Sequence, residues 1–363
     1  MFSRRWVVLF VAAVTVVFVA ALAPVSGASV NASSTRASSV QGQSLRGKKV
    51  IALVSGDRGD RGFYQSQVDT LRGLSRTYGF KLVVVDQVPI GTAQESFTNA
   101  ARQNPAILIS TGAELLDGFN AVCNNPQYAG ILFMTVAEFP NQCTNPAVNF
   151  DADTFQTFYM TGVAAALELT AAKQPNGEVG VVAGPDLSFA ENDLASLKQG
   201  VRDQLPSATV TINYTGDFNN AALAKTAAEA FISQGARIFF PYLSGAKTAV
   251  IQAANAANLP VFDNYWNGCT VPPPGQKFAG SALGSPAPEY AKLFKLYARK
   301  SLKYNALYIA GIDTPGIGTN LCNATSSQQK VLDDTKAKLL SGAITIKAGG
   351  YIKLKDGTVA VRK

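Results

Sequence analysis

Carboxylates and aromatic side chains stand in the loops that follow the predicted strands of this chain. Aromatic faces can bury the apolar plane of a ring-shaped ligand, while carboxylates accept hydrogen bonds from its hydroxyl groups. In open α/β sheets the ligand lies beyond the carboxyl ends of the strands, so these loops are where we expect the site. The residues of this set are Asp57, Asp60, Phe63, Glu114, Asp186, Phe218, Tyr242, Asp263 and Trp266. They predict a neutral, hydroxylated ring compound as the ligand.

The composition excludes several kinds of chemistry. The 363 residues include no histidine, which removes Ser-His-Asp and Cys-His nucleophiles, histidine general bases and histidine-containing zinc sites. The net charge of +8 is dispersed, and the basic stretch 292–303 lies on a predicted helix whose Tyr290, Phe294 and Tyr297 form a buried stripe. We therefore expect no cofactor, no metal and no nucleic-acid partner.

The N-terminus has the pattern of an export signal. Arg4 and Arg5 precede an apolar run over 6–23, and Ser26-Gly27-Ala28 supplies the small residues of a cleavage site. We predict a cleaved signal over 1–28 and a flexible tether over 29–47, and hence a protein outside the cytoplasm. A retained signal anchor is the alternative, because 18 apolar residues are close to the minimum for a membrane span. No cysteine follows the cleavage region to accept a lipid anchor.

From about residue 48, apolar strands alternate with amphipathic helices. Strands are predicted near 50–54, 81–85, 106–110 and 130–134, and the alternation begins again at residue 154. This pattern is typical of parallel sheets with helices on both faces. The sequence predicts an α/β protein with two doubly wound lobes whose junction lies near 149–153.

One short pattern suggests an enzyme. Ser244-Gly245-Ala246-Lys247 has the spacing of the acylating Ser-x-x-Lys of penicillin-recognising enzymes, but neither Ser-Asp-Asn nor Lys-Thr-Gly follows it. We interpret the match as a coincidence of spacing.

Four motifs in the same order resemble the basic membrane protein family, the substrate-binding proteins of ABC importers that include purine nucleoside receptors. Ile51–Val54 with Asp60-Arg61-Gly62-Phe63-Tyr64-Gln65 is similar to the family's first strand and its Asp-Lys-Ser-Phe-Asn-Gln signature. Thr161–Ala166 is similar to its glycine-rich helix, and Tyr214–Asn219 to its Tyr-Val-Gly-Ser-Phe-Asn. Gly350 with Leu354-Lys355-Asp356-Gly357 resembles its terminal hairpin.

This resemblance implies a type I periplasmic-binding-protein fold, in which three crossovers join two doubly wound parallel-sheet lobes around the ligand. It assigns 48–150 and 268–345 to lobe 1, and 151–267 and 346–363 to lobe 2. The crossovers are expected at 149–151, at 262–264 and near 344–347. Their few backbone dihedrals would absorb closure of the lobes.

The resemblance also implies specific ligand contacts. Phe63 matches the family's stacking phenylalanine, Asp60 its neighbouring aspartate, and Asp263 the aspartate that holds ribose hydroxyls. Another family aspartate falls ambiguously on Gly56 or Asp57. With Tyr242 and Trp266 from the strand-end loops, these residues make up the predicted site.

The chain also departs from the family pattern. Thr135 or Val136 stands where the family has an aspartate after the fourth strand, and the family's Ser-Met-Val-Lys is Ser281-Ala282-Leu283-Gly284 here. Plainer structural roles stay open as well, because Asp60 and Asp263 can bind backbone amides and Trp266 can hold a disulfide-closed loop. These departures leave a nucleoside as the first of several candidate hydroxylated ring ligands.

The four cysteines are expected to form two disulfides, because their number is even, their spacing is wide and the chain is exported. Cys123 ends the helix before the fourth strand and Cys143 lies in the loop after it, so we predict that they pair. The implied topology places Cys269 and Cys322 together, also on the first lobe.

The favoured function is an extracytoplasmic solute-binding protein, a monomer, that passes a nucleoside-like small molecule to an ABC permease in the membrane. An extracytoplasmic ligand sensor of the same fold is one alternative. A secreted hydrolase using carboxylates such as Asp57 and Asp60 is the other.

Overall fold

The computed structural model describes residues 44–139 and 142–362. The predicted signal over 1–28 and most of the predicted tether lie outside these residues. Three 3-10 turns, at Ile90–Thr92, Ala113–Leu115 and Pro126–Tyr128, accompany the longer elements. In chain order those elements are β1 (Lys49–Leu53), α1 (Phe63–Tyr78), β2 (Lys81–Val85), α2 (Ala93–Ala101), β3 (Ile107–Ser110), α3 (Leu116–Cys123), β4 (Leu132–Val136), β5 (Ala147–Ala152), α4 (Thr154–Ala171), β6 (Glu178–Ala183), α5 (Ser188–Gln204), β7 (Thr209–Tyr214), α6 (Ala221–Gln234), β8 (Ile238–Tyr242), α7 (Lys247–Ala256), β9 (Phe262–Asn264), β10 (Gly280–Leu283), α8 (Ala287–Ala298), β11 (Ala306–Ala310), β12 (Gly318–Leu321), α9 (Ser326–Ser341), β13 (Gly350–Lys353) and β14 (Val359–Arg362).

The first lobe is built on an eight-stranded sheet. Its strands stand in the order β13-β14-β11-β5-β4-β3-β1-β2, and those from β11 to β2 are parallel. β3, β4 and β5 are buried along their whole length, as expected of strands covered by helices on both faces. The carboxyl ends of these central strands meet at one edge of the sheet.

The second lobe contains two three-stranded sheets linked by a single bridge. The parallel set β7-β6-β8 continues through the pair Phe239 and Val261 into the set β9-β10-β12. Helix α4 packs against α5, and α9 packs against α4. The predicted α/β architecture of two wound lobes is confirmed.

The division of the chain between the lobes differs from the predicted one. β10 and β12, within the predicted lobe 1 range 268–345, belong to the second lobe, since β10 pairs with β9. The hairpin β13–β14, predicted in lobe 2, pairs with β11 of the first lobe. β10 has the sequence Gly-Ser-Ala-Leu, which carries little strand signal, so its neighbours on both sides decide where it lies.

The segments that pass between the lobes shift accordingly. The chain leaves the first lobe at Asp153, returns within 284–286, leaves again within 311–317 and comes back within 342–349. The crossover predicted at 149–151 lies beside the first of these passes, and that predicted near 344–347 lies within the last. The segment predicted at 262–264 is instead strand β9.

The folded region begins slightly before the predicted end of the tether at residue 47. Leu45 is buried in the core of the first lobe, and the backbone N–H of Gly47 donates to the carbonyl of Gly79. Within 44–139 and 142–362, none of the helices combines the length and the apolar character that crossing a membrane requires.

Both predicted cysteine pairs are bonded. Cys123 is linked to Cys143, and Cys269 to Cys322. The first bridge joins the end of α3 to the segment before β5. The second joins the loop after β9 to the residue after β12 and therefore lies on the second lobe, because β10 and β12 belong there. Each bridge is expected to add ~3 kcal/mol by restricting the unfolded chain.

Two glycines allow helices α4 and α5 to cross with their backbones almost in contact. A Cβ atom on Gly162 would lie 2.1 Å from the carbonyl oxygen of Leu197, and one on Gly200 would lie 2.0 Å from that of Tyr159. A real Cβ cannot occupy either position without moving backbone. The close crossing, in the middle of α4 and the second half of α5, fixes α5 against α4 beside the inter-lobe space.

We predict that Gly162→Ala lowers the free energy of unfolding by about 1 to 3 kcal/mol, because the added methyl group must separate α4 from α5. Gly73→Ala in α1 is the matched control: its added Cβ meets no heavy atom closer than 4.0 Å, so alanine's helix propensity should make the variant neutral or up to ~1 kcal/mol more stable. Urea-induced unfolding followed by circular dichroism measures both. Equal stability of the two variants would contradict the crossing.

Candidate functional site

A cavity lies between the two lobes, at the carboxyl ends of their central strands. It holds about 590 Å³ of space, counting its opening to solvent. Six aromatic residues line it, contributed by both lobes: Phe63, Tyr64, Phe189, Phe218, Tyr242 and Tyr265. Its lining, mostly aromatic with a few polar groups from both lobes, is typical of a site for a small organic molecule.

The aromatic wall is held in place by ring contacts and by one glycine. Phe63, the first residue of α1, contacts Tyr265 with ring centroids 4.9 Å apart. Tyr242 packs edge-on against Phe158 of α4 at 5.4 Å. Phe218 lies over Gly184, where any Cβ would stand 2.2 Å from the ring. These contacts fix the positions of the rings in the protein without a ligand.

Four carboxylates share the cavity with the aromatic rings: Glu114, Glu138, Asp151 and Asp193. Glu138 follows β4, Asp151 belongs to β5, and Asp193 lies on α5 of the other lobe. Glu138, Asp151 and Asp193 are only 4%, 7% and 1% exposed. Carboxylates this deeply buried normally have a charged partner.

The hydrogen bonds to these carboxylates are incomplete. Thr154 donates to Oε1 of Glu138 at 2.5 Å, and the Tyr242 hydroxyl donates to Oδ2 of Asp193 at 2.7 Å. The second oxygen of each, Glu138 Oε2 and Asp193 Oδ1, has no hydrogen-bond partner among the described residues although both atoms are buried. Buried acceptors of this kind are costly unless a ligand, a water molecule or a proton satisfies them.

Burial raises the pKa of these acids. Burial first, and then the charge of Asp193, holds the pKa of Glu138 well above its usual range. Burial and the charge of Glu138 do the same to the pKa of Asp151. Burial raises the pKa of Asp193 to about 8, and that of Asp153, the residue before α4, to about 6. At neutral pH the cluster therefore retains protons.

Glu114 is bound differently. Its Oε1 accepts hydrogen bonds from Ser55 at 2.5 Å and from the Tyr64 hydroxyl at 2.8 Å. Burial, and then the charge of Glu114, raises the pKa of Tyr64 well above its usual range, so this tyrosine stays a hydrogen-bond donor. Ser55 and Tyr64 therefore already use part of the hydrogen-bond acceptor capacity of the Glu114 carboxylate.

A polar contact connects the two lobes beside the cavity. Lys247, at the start of α7, donates to Asp263 Oδ1 at 2.7 Å and to the carbonyl oxygen of Arg61 in the first lobe at 2.8 Å. Ser244 Oγ donates to Asp60 Oδ2 of the first lobe at 2.7 Å. Burial outweighs the charge of Lys247 and raises the pKa of Asp263. The structure thus shows the two lobes in contact across the cleft.

Of the six residues of the predicted site, Phe63 and Tyr242 lie on the cavity wall, together with Glu114 and Phe218 from the wider set of strand-end residues. Asp60 lies behind it, where its carboxylate accepts from the backbone amides of Gly62, Tyr64 and Gln65. This is the capping role left open above. Asp263 is also absent from the wall, because Lys247 and the Asn264 amide bind its carboxylate.

The other two predicted residues lie away from the cavity. Asp57 is exposed, and its carboxylate accepts from the amide of Gly59. The Trp266 indole donates to the carbonyl oxygen of Val271, within the loop that leads to Cys269. Neither residue shares the aromatic wall with Phe63.

Sequence reasoning missed the three most buried carboxylates of the site. Glu138 follows β4 by two residues, so the strand-end rule could have found it, whereas the resemblance directed attention to Thr135 or Val136. Asp151 fell within a predicted crossover. Asp193 lies in the second turn of a helix, where a carboxylate carries no signal of a site.

We predict that the free protein loses stability as the pH rises from 5 to 8. The folded-state pKa values of Asp153 (about 6) and Asp193 (about 8) lie above their usual value of 3.8. The folded state therefore binds more protons than the unfolded chain in this interval. Wherever that is so, the free energy of unfolding decreases as the pH rises. The loss should be on the order of a few kcal/mol, or several °C in Tm.

Asp193→Asn should reduce this fall in Tm, because the amide oxygen can still accept from Tyr242 without titrating. Asp203→Asn is the matched control: Asp203 lies on the same helix and also accepts from a tyrosine hydroxyl, that of Tyr159, but is exposed. Differential scanning calorimetry at pH 5 and pH 8 compares them. Identical Tm differences in parent and Asp193→Asn would refute the assignment.

Solved structures with the same architecture are distant in sequence. An ABC transporter solute-binding protein from Aeropyrum pernix K1 matches with a TM-score of 0.70 and 15% identity, over 85% of this chain and 94% of that one. A protein described as a transcriptional activator of the comK gene from Bacillus halodurans matches with a TM-score of 0.65 and 13% identity, over 82% and 99%. A glycerol-bound ABC solute-binding protein from Mycobacterium smegmatis matches with a TM-score of 0.57 and 15% identity, over 79% and 97%. These likenesses confirm the type I periplasmic-binding-protein fold.

No curated protein matches the sequence. The family of PnrA-like ABC transporter substrate-binding proteins does match, over residues 48–349. Its members bind solutes outside the cytoplasm for an ABC permease and are not enzymes, so the hydrolase alternative is wrong. This chain belongs to the family of PnrA-like substrate-binding proteins of ABC transporters.

Proposed function

We propose that the protein binds a small, hydroxylated ring compound between its lobes and, as a monomer, delivers it to its permease, with a nucleoside as the first candidate. The observation that carries this proposal is the cavity between the lobes, which is lined by six aromatic residues and four carboxylates. Flat rings and hydrogen-bond donors are the two features that such a lining recognises. The motif at Asp60–Gln65 supports a nucleoside within this class.

In the proposed complex, Phe63 and Tyr265 contact the ring of the ligand. Phe63 is at the N-terminus of α1 in the first lobe, and Tyr265 follows β9 in the second. Their centroids are 4.9 Å apart in the free site, so a ring inserted between them has to displace at least one. Because each lobe provides part of the wall, the ligand stabilises the form in which the lobes are together.

The carboxylates would accept the ligand's hydroxyl protons. Glu114 is the partly exposed member of the set, at the cavity mouth beside Ser55. Glu138 and Asp193 each have one oxygen free for an additional donor. A hydrogen bond between neutral groups contributes about 0.5 to 1.5 kcal/mol, and one to an ionised carboxylate contributes more, so several such bonds together favour hydroxylated rings over plain ones.

We predict that Phe63→Ala weakens ligand binding by about 5- to 150-fold, the equivalent of losing ~1 to 3 kcal/mol of stacking. Native mass spectrometry of protein purified without unfolding first identifies the retained small molecule. Isothermal titration calorimetry with that molecule, and with guanosine, adenosine and inosine, then measures the affinity of parent and variant.

Trp266→Ala is the matched aromatic control, since Trp266 lies away from the wall and should leave affinity within about twofold. Weaker binding by Trp266→Ala but not by Phe63→Ala would move the ligand to the loop before Cys269 and contradict the proposed site. Binding of the retained molecule with no binding of the three nucleosides would reject the nucleoside and keep the solute-binding function.

A further inference from the structure

Glu138 and Asp193 line the cavity, and each has a carboxyl oxygen without a hydrogen-bond partner among the described residues. We propose that the ligand carries a positively charged amine, and that this ammonium group binds between Glu138 of the first lobe and Asp193 of the second. This inference rests on the proposed function, because it concerns the chemical class of the ligand held in the same cleft. It replaces the neutral compound expected from sequence with a cationic, hydroxylated ring compound.

The first observation is the pair of unsatisfied oxygens. Glu138 is 4% exposed and Asp193 is 1% exposed, yet Glu138 Oε2 and Asp193 Oδ1 receive no hydrogen bond from the residues that the structure describes. Both side chains line the cavity. An ammonium group has three N–H donors and no acceptor, so one such group can donate to both oxygens at once.

The second observation is that no lysine or arginine within 44–139 and 142–362 forms an ion pair with Glu138 or Asp193. The titratable groups facing Glu138 and Asp193 from the surrounding elements are acids or phenols: Asp151, Asp153, Tyr242, Tyr265 and Tyr351. The basic groups around the cavity have other partners. Lys353 and Arg362 act on Asp153, and Lys247 is bound to Asp263 and to two carbonyl oxygens.

The lining favours an organic cation over a metal ion. Residues 44–139 and 142–362 contain no group of three or more Asp, Glu, Cys or His side chains arranged to hold a metal. Tyr242 and Tyr265 line the same cavity as the carboxylates. Aromatic faces attract ammonium groups and also bury the hydrocarbon attached to them.

In the free protein, protons occupy the place of the missing cation. The pKa of Asp193 lies at about 8, and that of Glu138 is raised well above its usual range. A bound ammonium group favours the ionised carboxylates, so binding at neutral pH should release protons. A hydroxyl group has no net charge to offset and should release few or none.

The position of the two carboxylates links ligand charge to closure. Glu138 follows β4 of the first lobe, whereas Asp193 belongs to α5 of the second. Bringing two ionised carboxylates together in a buried cleft is unfavourable, and a cation between them reverses the sign of the interaction. The cation therefore binds the closed arrangement selectively, which is what an importer's binding protein needs its substrate to do.

Pairs of compounds that differ only in an ammonium and a hydroxyl group test the inference. We choose 5′-amino-5′-deoxyadenosine with adenosine, tyramine with 4-hydroxyphenethyl alcohol, and glucosamine with glucose, each titrated calorimetrically at pH 7.5 in two buffers of different ionisation heat. The amine of at least one pair should bind about ten- to a hundredfold more tightly than its alcohol. The two buffers should also show proton release for that amine.

Glu138→Gln and Asp193→Asn should each abolish this preference and the proton release, while Asp203→Asn, an exposed acid on the same helix, should retain both. Thermal unfolding at pH 8 checks that the two site variants are folded. We expect them to be at least as stable as the parent there, because each removes a buried acid whose raised pKa opposes folding at that pH. Loss of preference in a stable variant excludes general misfolding.

The remaining outcomes distinguish failure of the cationic ligand from failure of the solute-binding function. Alcohols that bind as tightly as their amines, or tighter, overturn the cationic ligand and leave the solute-binding function intact. If no compound of the panel binds, the composition of the molecule retained through native purification decides: a neutral molecule overturns the inference, and an amine supports it. A protein that retains nothing and binds nothing in the panel overturns both the inference and the proposed function.

Discussion

The closed cleft brings together carboxylates that repel one another. Glu138 and Asp151 come from the first lobe and Asp193 from the second, and all three are buried where the dielectric screening of water is weak. Raised pKa values show how the free protein accommodates them, with protons in place of charge. The predicted pH response and the ligand class that we propose both depend on this arrangement.

The rest of the fold keeps that arrangement fixed. Gly162 and Gly200 let α4 and α5 cross in backbone contact, which places Thr154 and Asp193 at the same wall of the cavity. β4 and β5 are adjacent parallel strands, so Glu138 and Asp151 emerge at one sheet edge. The backbone ladder between β4 and β5 fixes where these two residues leave the sheet.

The residues that join the two lobes beside the cavity differ from most of those that line it. Lys247 and Ser244 reach from the second lobe to the carbonyl oxygen of Arg61 and to Asp60 in the first. Asp60 and Asp263 contribute to these contacts, whereas Phe63 and Tyr242 line the cavity. The Ser-x-x-Lys spacing that suggested an acylating enzyme has a structural role in this contact: the Lys247 N–H donates to the carbonyl oxygen of Ser244, closing a turn before α7, and both side chains bind the first lobe.

The sequence by itself determined the two wound lobes, the family, the two disulfides and the place of Phe63 on the cavity wall. These properties follow from hydrophobic periodicity and short motifs, which are local. The tertiary structure alone decided which sheet holds β10, β12 and the C-terminal hairpin, and which carboxylates share the cavity. Strand membership depends on partners far along the chain, and a carboxylate such as Asp193 in a helix looks like any solvated one until the packing of α4 and β8 removes it from water. A sequence shows which residues are acidic, but only the fold shows which of them are buried away from water.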